Sequence, residues 1–151
     1  MLRPSKKMLF AIEAVLDIAY HAGGEPVQSR EITRRQNIPR RYLEQTLQHL
    51  VRSGLLVGVR GPRGGYRLAR ERRRISVGEI VRVIQDMETQ EDLYKDLPGS
   101  PLGLNVVRPM WEGLQEDVME RLDAISIDDL CMKAWQGGVE SEAEDKLDFT
   151  I

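Results

Sequence analysis

Apolar residues recur at intervals of three and four along the first third of the chain, which is the spacing of a buried helix face. The first stretch predicts an amphipathic helix over about residues 5–22, and Ser29 can cap a second, short helix that Asn37 ends. Pro39 suits the first turn of a third helix, which Gly54 terminates. The positions expected in the core are Leu9, Ile12, Leu16, Ala19 and Tyr20 in the first helix and Leu43, Leu47, Leu50 and Val51 in the third.

Two short extended runs follow the third helix directly. Residues 55–60 are rich in leucine and valine, residues 66–69 form a second run, and residues 61–65 between them read Gly-Pro-Arg-Gly-Gly. This pattern predicts a β-hairpin with a basic tip. Helices followed by such a hairpin are typical of a winged helix-turn-helix, in which the third helix enters the major groove of DNA and the wing contacts the backbone or minor groove. Nucleotide binding is not expected, because the glycine-rich segment fits no phosphate-loop motif and precedes a strand.

Two capping boxes mark helix starts in the second half of the chain. Ser76 and Glu79 predict a fourth helix over about residues 77–86, where valine and isoleucine form an apolar face. Ser126 and Asp129 predict a last helix in the same way.

Between these signals the chain is first irregular and then periodic. Residues 87–107 contain closely spaced prolines and glycines and predict a loop, after which Pro109 opens a fifth helix. Its apolar residues keep a period close to 3.5, which suits packing against a partner helix. These residues are Trp111, Leu114, Val118, Leu122 and Ile125.

The net charge of −2 conceals two halves of opposite sign. Residues 1–85 contain 17 Lys and Arg against 7 Asp and Glu, a balance of +10, whereas residues 86–151 contain 5 against 17, a balance of −12. Most of the positive charge is arginine. We therefore favour a polyanion-binding segment, joined to a part that does not touch the polyanion, over a merely solvated charged surface.

Residues that could support catalysis, metal binding or membrane insertion are scarce. The single cysteine, Cys131, excludes an internal disulfide and all-cysteine ligation within one chain. A buried thiol is expected there, and an intersubunit disulfide sensor is the alternative. No nucleophile–base pair or metal constellation is visible, so we do not expect an enzyme. No apolar run of eighteen residues occurs, and we expect a soluble, cytoplasmic protein that does not bind a membrane.

Four motifs resemble those of the Rrf2-type bacterial transcriptional regulators, a family that includes iron–sulfur cluster regulators. They open the third helix, follow it, form the wing and open the fourth helix. The resemblance covers about residues 5–135. The motifs are Tyr42-Leu43-Glu44-Gln45, Ser53-Gly54-Leu55-Leu56, Val59-Arg60-Gly61-Pro62-Arg63-Gly64-Gly65-Tyr66-Arg67-Leu68 and Ile75-Ser76-Val77-Gly78-Glu79-Ile80.

The resemblance implies a homodimer in which the long penultimate helices cross, with two winged heads on a roughly palindromic operator. We therefore predict a mainly α fold with a small β-hairpin wing, namely a winged helix-turn-helix with a long dimerisation helix. The DNA-binding domain is expected to cover residues 1–86 and a loop in the position of the family's cluster-binding loop residues 87–107. The dimerisation and C-terminal helices should cover residues 108–136, and an acidic tail, expected to be disordered, residues 137–151.

The resemblance also assigns contacts to double-stranded DNA. Arg41, Glu44 and Gln45 occupy positions where the family contacts base edges or phosphates, and Arg60 matches a wing arginine that reaches the DNA. Independently, arginine suits guanine, glutamine adenine and glutamate cytosine, with a phosphate contact or simple solvation as the alternative for each side chain. The arginines within residues 70–74 either add phosphate contacts or are solvated. The candidate DNA-binding set is Ser29, Arg40, Arg41, Tyr42, Glu44, Gln45, Gln48, Arg60, Gly61, Arg63, Gly64, Gly65 and Tyr66.

One departure from the family concerns its cofactor. Many relatives hold an iron–sulfur cluster with three cysteines in the loop before the penultimate helix. At the aligned positions this chain has Leu93, Gly99 and Asn105, and Arg108 stands where relatives have an additional ligand. None of the first three supplies a thiolate, so we expect no cluster cofactor.

The leading hypothesis is a sequence-specific DNA-binding regulator that responds to a small molecule, a partner protein or its own dimer state. The alternative is a regulatory interaction module that docks a metabolic enzyme or another protein through its acidic C-terminal half. The two functions can coexist, and selection of genomic fragments with the purified protein is the most informative experiment.

Overall fold

A computed structural model of the protein describes residues 3–88 and 98–143. Within these ranges the chain is mostly helical and carries one two-stranded antiparallel hairpin, so the predicted mainly α fold with a wing is confirmed. No helix of the described part is long and apolar enough to cross a membrane. The elements are α1 Lys6–His21, α2 Ser29–Gln36, α3 Arg40–Arg52, β1 Leu56–Val59, β2 Gly65–Leu68, a 3₁₀ turn Arg72–Arg74, α4 Val77–Met87, a π-helical turn Gly103–Val107, α5 Arg108–Asp123 and α6 Ile127–Gln136.

The core is built around α1, which contacts α2, α3, α4, α6 and β2. Ala11 and Ala14 are fully buried, and their small side chains let the neighbouring elements approach the helix closely. From α3, Leu43 and Leu47 enter the same core, where each buried leucine stabilises the fold by about 1.5–3 kcal/mol. Since both leucines point inward, the opposite face of α3 is held outward.

The start of α2 differs from the prediction by one residue. Gln28 occupies the cap position with extended backbone, and its N–H donates to Glu31 Oε2 at 2.9 Å. Because this bond closes the turn one residue earlier, Ser29 is the first helical residue and not the cap. Asn37 ends α2 as predicted, in the left-handed conformation with a φ of 54°, which asparagine tolerates better than most residues.

Both predicted capping boxes are confirmed. In α4, Glu79 N–H donates to Ser76 Oγ at 3.1 Å, and Ser76 N–H donates to Glu79 Oε2 at 3.0 Å. Ser126 and Asp129 make the same two bonds at the start of α6, at 3.0 and 2.9 Å. A β-bridge between Ser76 and Ser126 places the two helix starts side by side. This junction joins the C-terminal helix to the winged head.

The loop predicted for residues 87–107 is shorter in the structure. Residues 101–102 are already helical, the π-helical turn follows, and α5 continues from it without a break. Pro109 lies in the first turn of α5, as predicted, although the chain is already helical before that turn. Proline is tolerated in the first turn of an α-helix, where its missing N–H would have no helical partner, and the π-helical turn lies immediately before it. Residues 89–97 lie outside the described ranges.

Residues 139–143, which belong to the tail expected to be disordered, lie against the winged head. Hydrogen bonds join them to Tyr20 and His21 at the end of α1, and Glu142 forms ion pairs with α2. The prediction of disorder is therefore wrong for this segment, because contacts across more than 100 residues of sequence leave no local pattern. Residues 144–151 lie outside the described ranges.

Candidate DNA-binding interface

The outer face of α3 consists of polar side chains that the buried residues hold outward. Leu43 and Leu47 are at most 1 % exposed, and Thr46 between them is also buried. Burial of these three residues fixes the rotation of the helix about its axis. The exposed residues of α3 are Arg40, Arg41, Tyr42, Glu44, Gln45, Gln48 and Arg52. All the candidate residues predicted on this helix are thus accessible.

Two of these side chains pair with each other. Arg40 Nε lies 2.9 Å from Glu44 Oε1, and the two side chains are 82 % and 49 % exposed. An exposed pair of this kind contributes at most about 1 kcal/mol, so a DNA contact can replace it at little cost. Arg41 makes no ion pair among the described residues, and its guanidinium is available for a guanine or a phosphate.

Tyr42 is linked to the first turn of α1. Its ring is 43 % exposed, and Lys7 Nζ lies 5.9 Å from the ring centroid, which is a cation–π distance. The contact brings a positive charge beside the N-terminal end of α3. Sequence reasoning missed Lys7, although two lysines in a first helical turn are unfavourable with the helix dipole and could have marked it.

Three glycines shape the tip of the wing for different reasons. Gly61 has a φ of 110°, which favours glycine, and its carbonyl accepts the Gly64 N–H at 2.9 Å to close the turn. A Cβ added to Gly64 would lie 2.2 Å from the Val59 carbonyl oxygen. One added to Gly65 would lie 2.4 Å from the carbonyl oxygen of Val27. The backbone conformation of the wing therefore requires glycine at these positions.

The wing is fixed to the segment that precedes α2. Val27 and Tyr66 exchange two backbone hydrogen bonds of 2.8 Å each, so the hairpin gains a third extended neighbour. Gln28 Nε2 also donates to the Pro62 carbonyl at the wing tip at 3.3 Å. Tyr66 is half-buried and packs against the core, so it positions the wing. Sequence reasoning missed Val27 and Gln28, because neither carries a charge or a motif.

The first turn of α2 and the wing enclose an open cleft of about 800 Å³. Ser29 lines it as part of the predicted set, together with Arg30 and Thr33, which the sequence reasoning did not single out. Arg40 and Arg60 line the same cleft, which suits it to a backbone phosphate. Arg30 could have been found from its place in the first turn of a helix, where backbone N–H groups attract anions.

Two of the arginines between the wing and α4 form close ion pairs within the protein. Arg70 Nη2 lies 3.0 Å from Glu79 Oε1, and Arg72 Nε lies 2.6 Å from Asp128 Oδ1. Burial alone would raise the pKa of Glu79, but the capping-box hydrogen bond and the pairing with Arg70 lower it below its usual value. Since the charges of these two arginines are already paired, we favour the interpretation in which the arginines within residues 70–74 are a solvated surface over the one in which they add phosphate contacts. By contrast, the arginines at the wing tip make no ion pair within the described ranges.

The apolar stripe of α5 is divided by its packing. Leu114 and Val118 are 50 % and 52 % exposed, whereas the other predicted members, Trp111, Leu122 and Ile125, are half-buried. Part of this helix packs against α4. Val107 and Met110, which the sequence reasoning did not include, extend the exposed part toward the π-helical turn.

The positions aligned with the family's cluster ligands do not fit a cluster. Gly99 has no side chain, and an added Cβ would lie 2.4 Å from the Leu104 side chain. Asn105 lies in the π-helical turn and Arg108 opens α5, and neither supplies a thiolate. Leu93 lies outside the described ranges.

The single thiol lies elsewhere. Cys131 is in α6, is 3 % exposed and belongs to the hydrophobic core, which confirms the expected buried position. Burial raises the pKa of this thiol. Within residues 3–88 and 98–143, no group of three or more His, Cys, Asp or Glu side chains is arranged to hold a metal ion.

Comparison with known proteins gives a consistent result. The Rrf2 family model, described as an iron-dependent transcriptional regulator, matches residues 4–133. The HTH-type transcriptional regulator IscR of Xenorhabdus nematophila is 34% identical over 130 residues, which cover 85% of this chain and 79% of the relative. The structure of T. potens IscR superposes with a TM-score of 0.74 at 33% identity, covering 92% of this chain and 93% of that one. CymR, the global cysteine regulator of B. subtilis, gives a TM-score of 0.69 at 29% identity, covering 88% and 98%.

Proposed function

Because this chain belongs to the Rrf2 family of transcriptional regulators, we propose that it binds a roughly palindromic operator as a homodimer and does so without an iron–sulfur cluster. The family and the fold make it a DNA-binding regulator and not an enzyme. The proposal adds three points to this conclusion, namely a palindromic operator, a homodimer and independence from a cluster.

One observation carries the proposal, namely that the arginines of α3 and the wing tip are accessible, while several arginines elsewhere, among them Arg70, Arg72 and Arg82, are paired with acidic side chains. Arg41 and Gln45 project from the exposed face of α3 and are the base-reading residues of the proposal. Arg60 and Arg63 supply positive charge at the wing, where contacts with phosphate set the orientation of the head. Base and phosphate contacts are thereby divided between two elements.

The exposed stripe that runs from the end of the π-helical turn along α5 supports a dimer. Val107, Met110, Leu114 and Val118 are each at least 50 % exposed in the single chain, although such side chains are usually buried. Packing two α5 helices across a two-fold axis would cover the stripe on both copies. A two-fold axis also repeats the DNA-reading head, which is why a roughly palindromic operator is expected.

Independence from a cluster rests on the side chains at the aligned ligand positions. Gly99 and Asn105 cannot supply thiolates, and Cys131 is buried in α6, away from that segment of sequence. The regulator then responds to a small molecule, a partner protein or a change in its own dimerisation.

Selection of genomic DNA fragments tests the operator proposal. Wild type and the double variant Arg41→Ala/Gln45→Ala are incubated with fragmented genomic DNA, and Arg72→Ala serves as a control that removes an arginine already paired with Asp128. Wild type and the control should enrich the same few promoters, which share an inverted repeat, whereas the double variant should lose this enrichment. Recovery of fragments without a shared motif, or equal enrichment by the double variant, would contradict the proposal.

A further inference from the structure

The acidic C-terminal segment is bonded to the DNA-binding head. Residues 139–143, which we term the clasp, make three hydrogen bonds with the last turn of α1. Tyr20 Oη donates to the Val139 carbonyl, Ser141 Oγ donates to the Tyr20 carbonyl at 2.6 Å, and Glu142 N–H donates to His21 Nδ1 at 3.1 Å. These bonds hold the Glu142 carboxylate beside α2.

The Glu142 carboxylate binds two arginines of α2 that have different surroundings. Arg35 lies 2.6 Å from Glu142 Oε2, but it also binds buried Asp17 with two bonds of 2.8 and 2.9 Å and is 8 % exposed. Arg34 Nη2 lies 2.9 and 3.1 Å from the two oxygens of Glu142 and is 62 % exposed. Among the described residues Glu142 is the ion-pair partner of Arg34. Arg35 thus keeps a partner without the clasp, whereas Arg34 does not.

Arg34 follows the basic cleft along α2. Arg30 lines that cleft, and residues four apart in a helix project from the same face. A DNA strand carries one phosphate per about 3.4 Å of helix axis, so a strand that enters the cleft offers further phosphates beyond Arg30. A carboxylate and a phosphate both accept parallel hydrogen bonds from a guanidinium. The same Arg34 group can therefore bind either one.

We propose that Arg34 is a further phosphate-binding residue of the head and that Glu142 occupies it in the free protein, so that the clasp competes with DNA and lowers its affinity. This inference rests on the proposed DNA-binding function. The exposed Arg34–Glu142 pair is weak enough to exchange with a phosphate, whereas the hydrogen bonds to α1 keep the carboxylate close by.

The test compares Glu142→Gln with Glu140→Gln in the full-length protein, using a short random-sequence DNA duplex across a series of salt concentrations. Glu140 is exposed and makes no ion pair within the described ranges, so its variant matches the change in net charge. Glu142→Gln should steepen the salt dependence of affinity by about 0.9 per head, which corresponds to about eightfold tighter binding per head at about 0.1 M salt. Glu140→Gln should change both quantities far less.

Arg34→Gln completes the cycle. It should bind DNA no more tightly than wild type, because Glu142 competes with phosphate for Arg34 in the wild type, and the double variant Arg34→Gln/Glu142→Gln should lose the gain of Glu142→Gln. Equal effects of Glu142→Gln and Glu140→Gln, weaker binding by Glu142→Gln, or a gain that persists in the double variant would overturn the proposal. If thermal melting shows that Glu142→Gln is not folded, Ser141→Ala decides in its place, because it removes one anchor of the clasp without changing charge and should also tighten binding. Wild type that binds no DNA would refute the proposed function itself.

Discussion

Replacing Arg63 by alanine should weaken binding to all DNA sequences by the same factor and leave sequence discrimination unchanged. The side chain is exposed at the wing tip and makes no ion pair among the described residues. The hairpin itself is held by the backbone bonds between Val27 and Tyr66. The substitution should therefore remove a charge without moving the wing.

The size of the effect follows from counterion release. One phosphate contact contributes about 0.9 to the slope of log affinity against log salt concentration, and a dimer has two wings, so the slope should fall by about 1.8. Between about 50 and 200 mM salt, wild-type affinity should then decrease by about twelvefold more than that of Arg63→Ala.

Arg41→Ala should behave differently because Arg41 lies on the exposed face of α3 that is proposed to read bases. Loss of a bidentate guanine contact costs roughly 1–3 kcal/mol on the operator and much less on a scrambled duplex. Discrimination should fall at one base pair in each half-site.

Fluorescence anisotropy with operator and scrambled duplexes across a salt series measures both quantities. Arg72→Ala is the matched control, since its guanidinium lies 2.6 Å from Asp128 and its loss should leave the salt slope unchanged. A slope for Arg63→Ala that equals the wild-type slope would refute the phosphate contact. Equal losses on both duplexes for Arg41→Ala would exclude it from base reading.

Three further outcomes are expected. Val118→Glu should place a charge in the α5 stripe and convert the proposed dimer to monomer in analytical ultracentrifugation. Glu116→Gln, at a neighbouring exposed position, should leave the dimer intact. An unchanged sedimentation coefficient for Val118→Glu would disprove the α5 interface. Protein purified without oxygen should lack stoichiometric iron and sulfide, and about one cluster per subunit would require ligands outside the aligned positions. Gly64→Ala should lower Tm and DNA affinity, because its Cβ would lie 2.2 Å from a carbonyl oxygen and the resulting strain costs about 1–3 kcal/mol. Gly58→Ala, with open space around the added Cβ, should lower Tm much less. Equal Tm values for the two variants would contradict the steric explanation.

The starts of α4 and α6 could be predicted because their causes lie within three residues. Glu79 shows this well, since its capping partner Ser76 is on the same turn and its role follows from spacing alone. Glu142 has the same chemistry, but its arginine partners precede it by 107 and 108 residues. The packing of α6 against α1 and the hydrogen bonds of the clasp to α1 bring them together, and no local pattern encodes either.

The apolar repeat of α5 did not predict which of its residues are exposed. Trp111 and Val118 have the same status in a 3.5-residue repeat, yet the first is half-buried and the second is 52 % exposed. A repeat identifies which residues share a helix face, but it does not say how much of that face the same chain covers. The contacts of α5 with α4 and with the π-helical turn cover part of the face and leave the rest exposed.

The opposite charges of the two halves acquire a different meaning in the folded protein. Asp123, Asp128 and Glu142, all from the acidic half, pair with Arg82, Arg72 and Arg34 of the basic half. None of these arginines lies on α3 or the wing. The acidic half therefore neutralises positive charge on other parts of the head and leaves the cationic side chains of α3 and the wing tip exposed. Since a confined positive patch steers a polyanion toward one face, the acidic half should contribute to the orientation of DNA on the head although it need not touch the DNA.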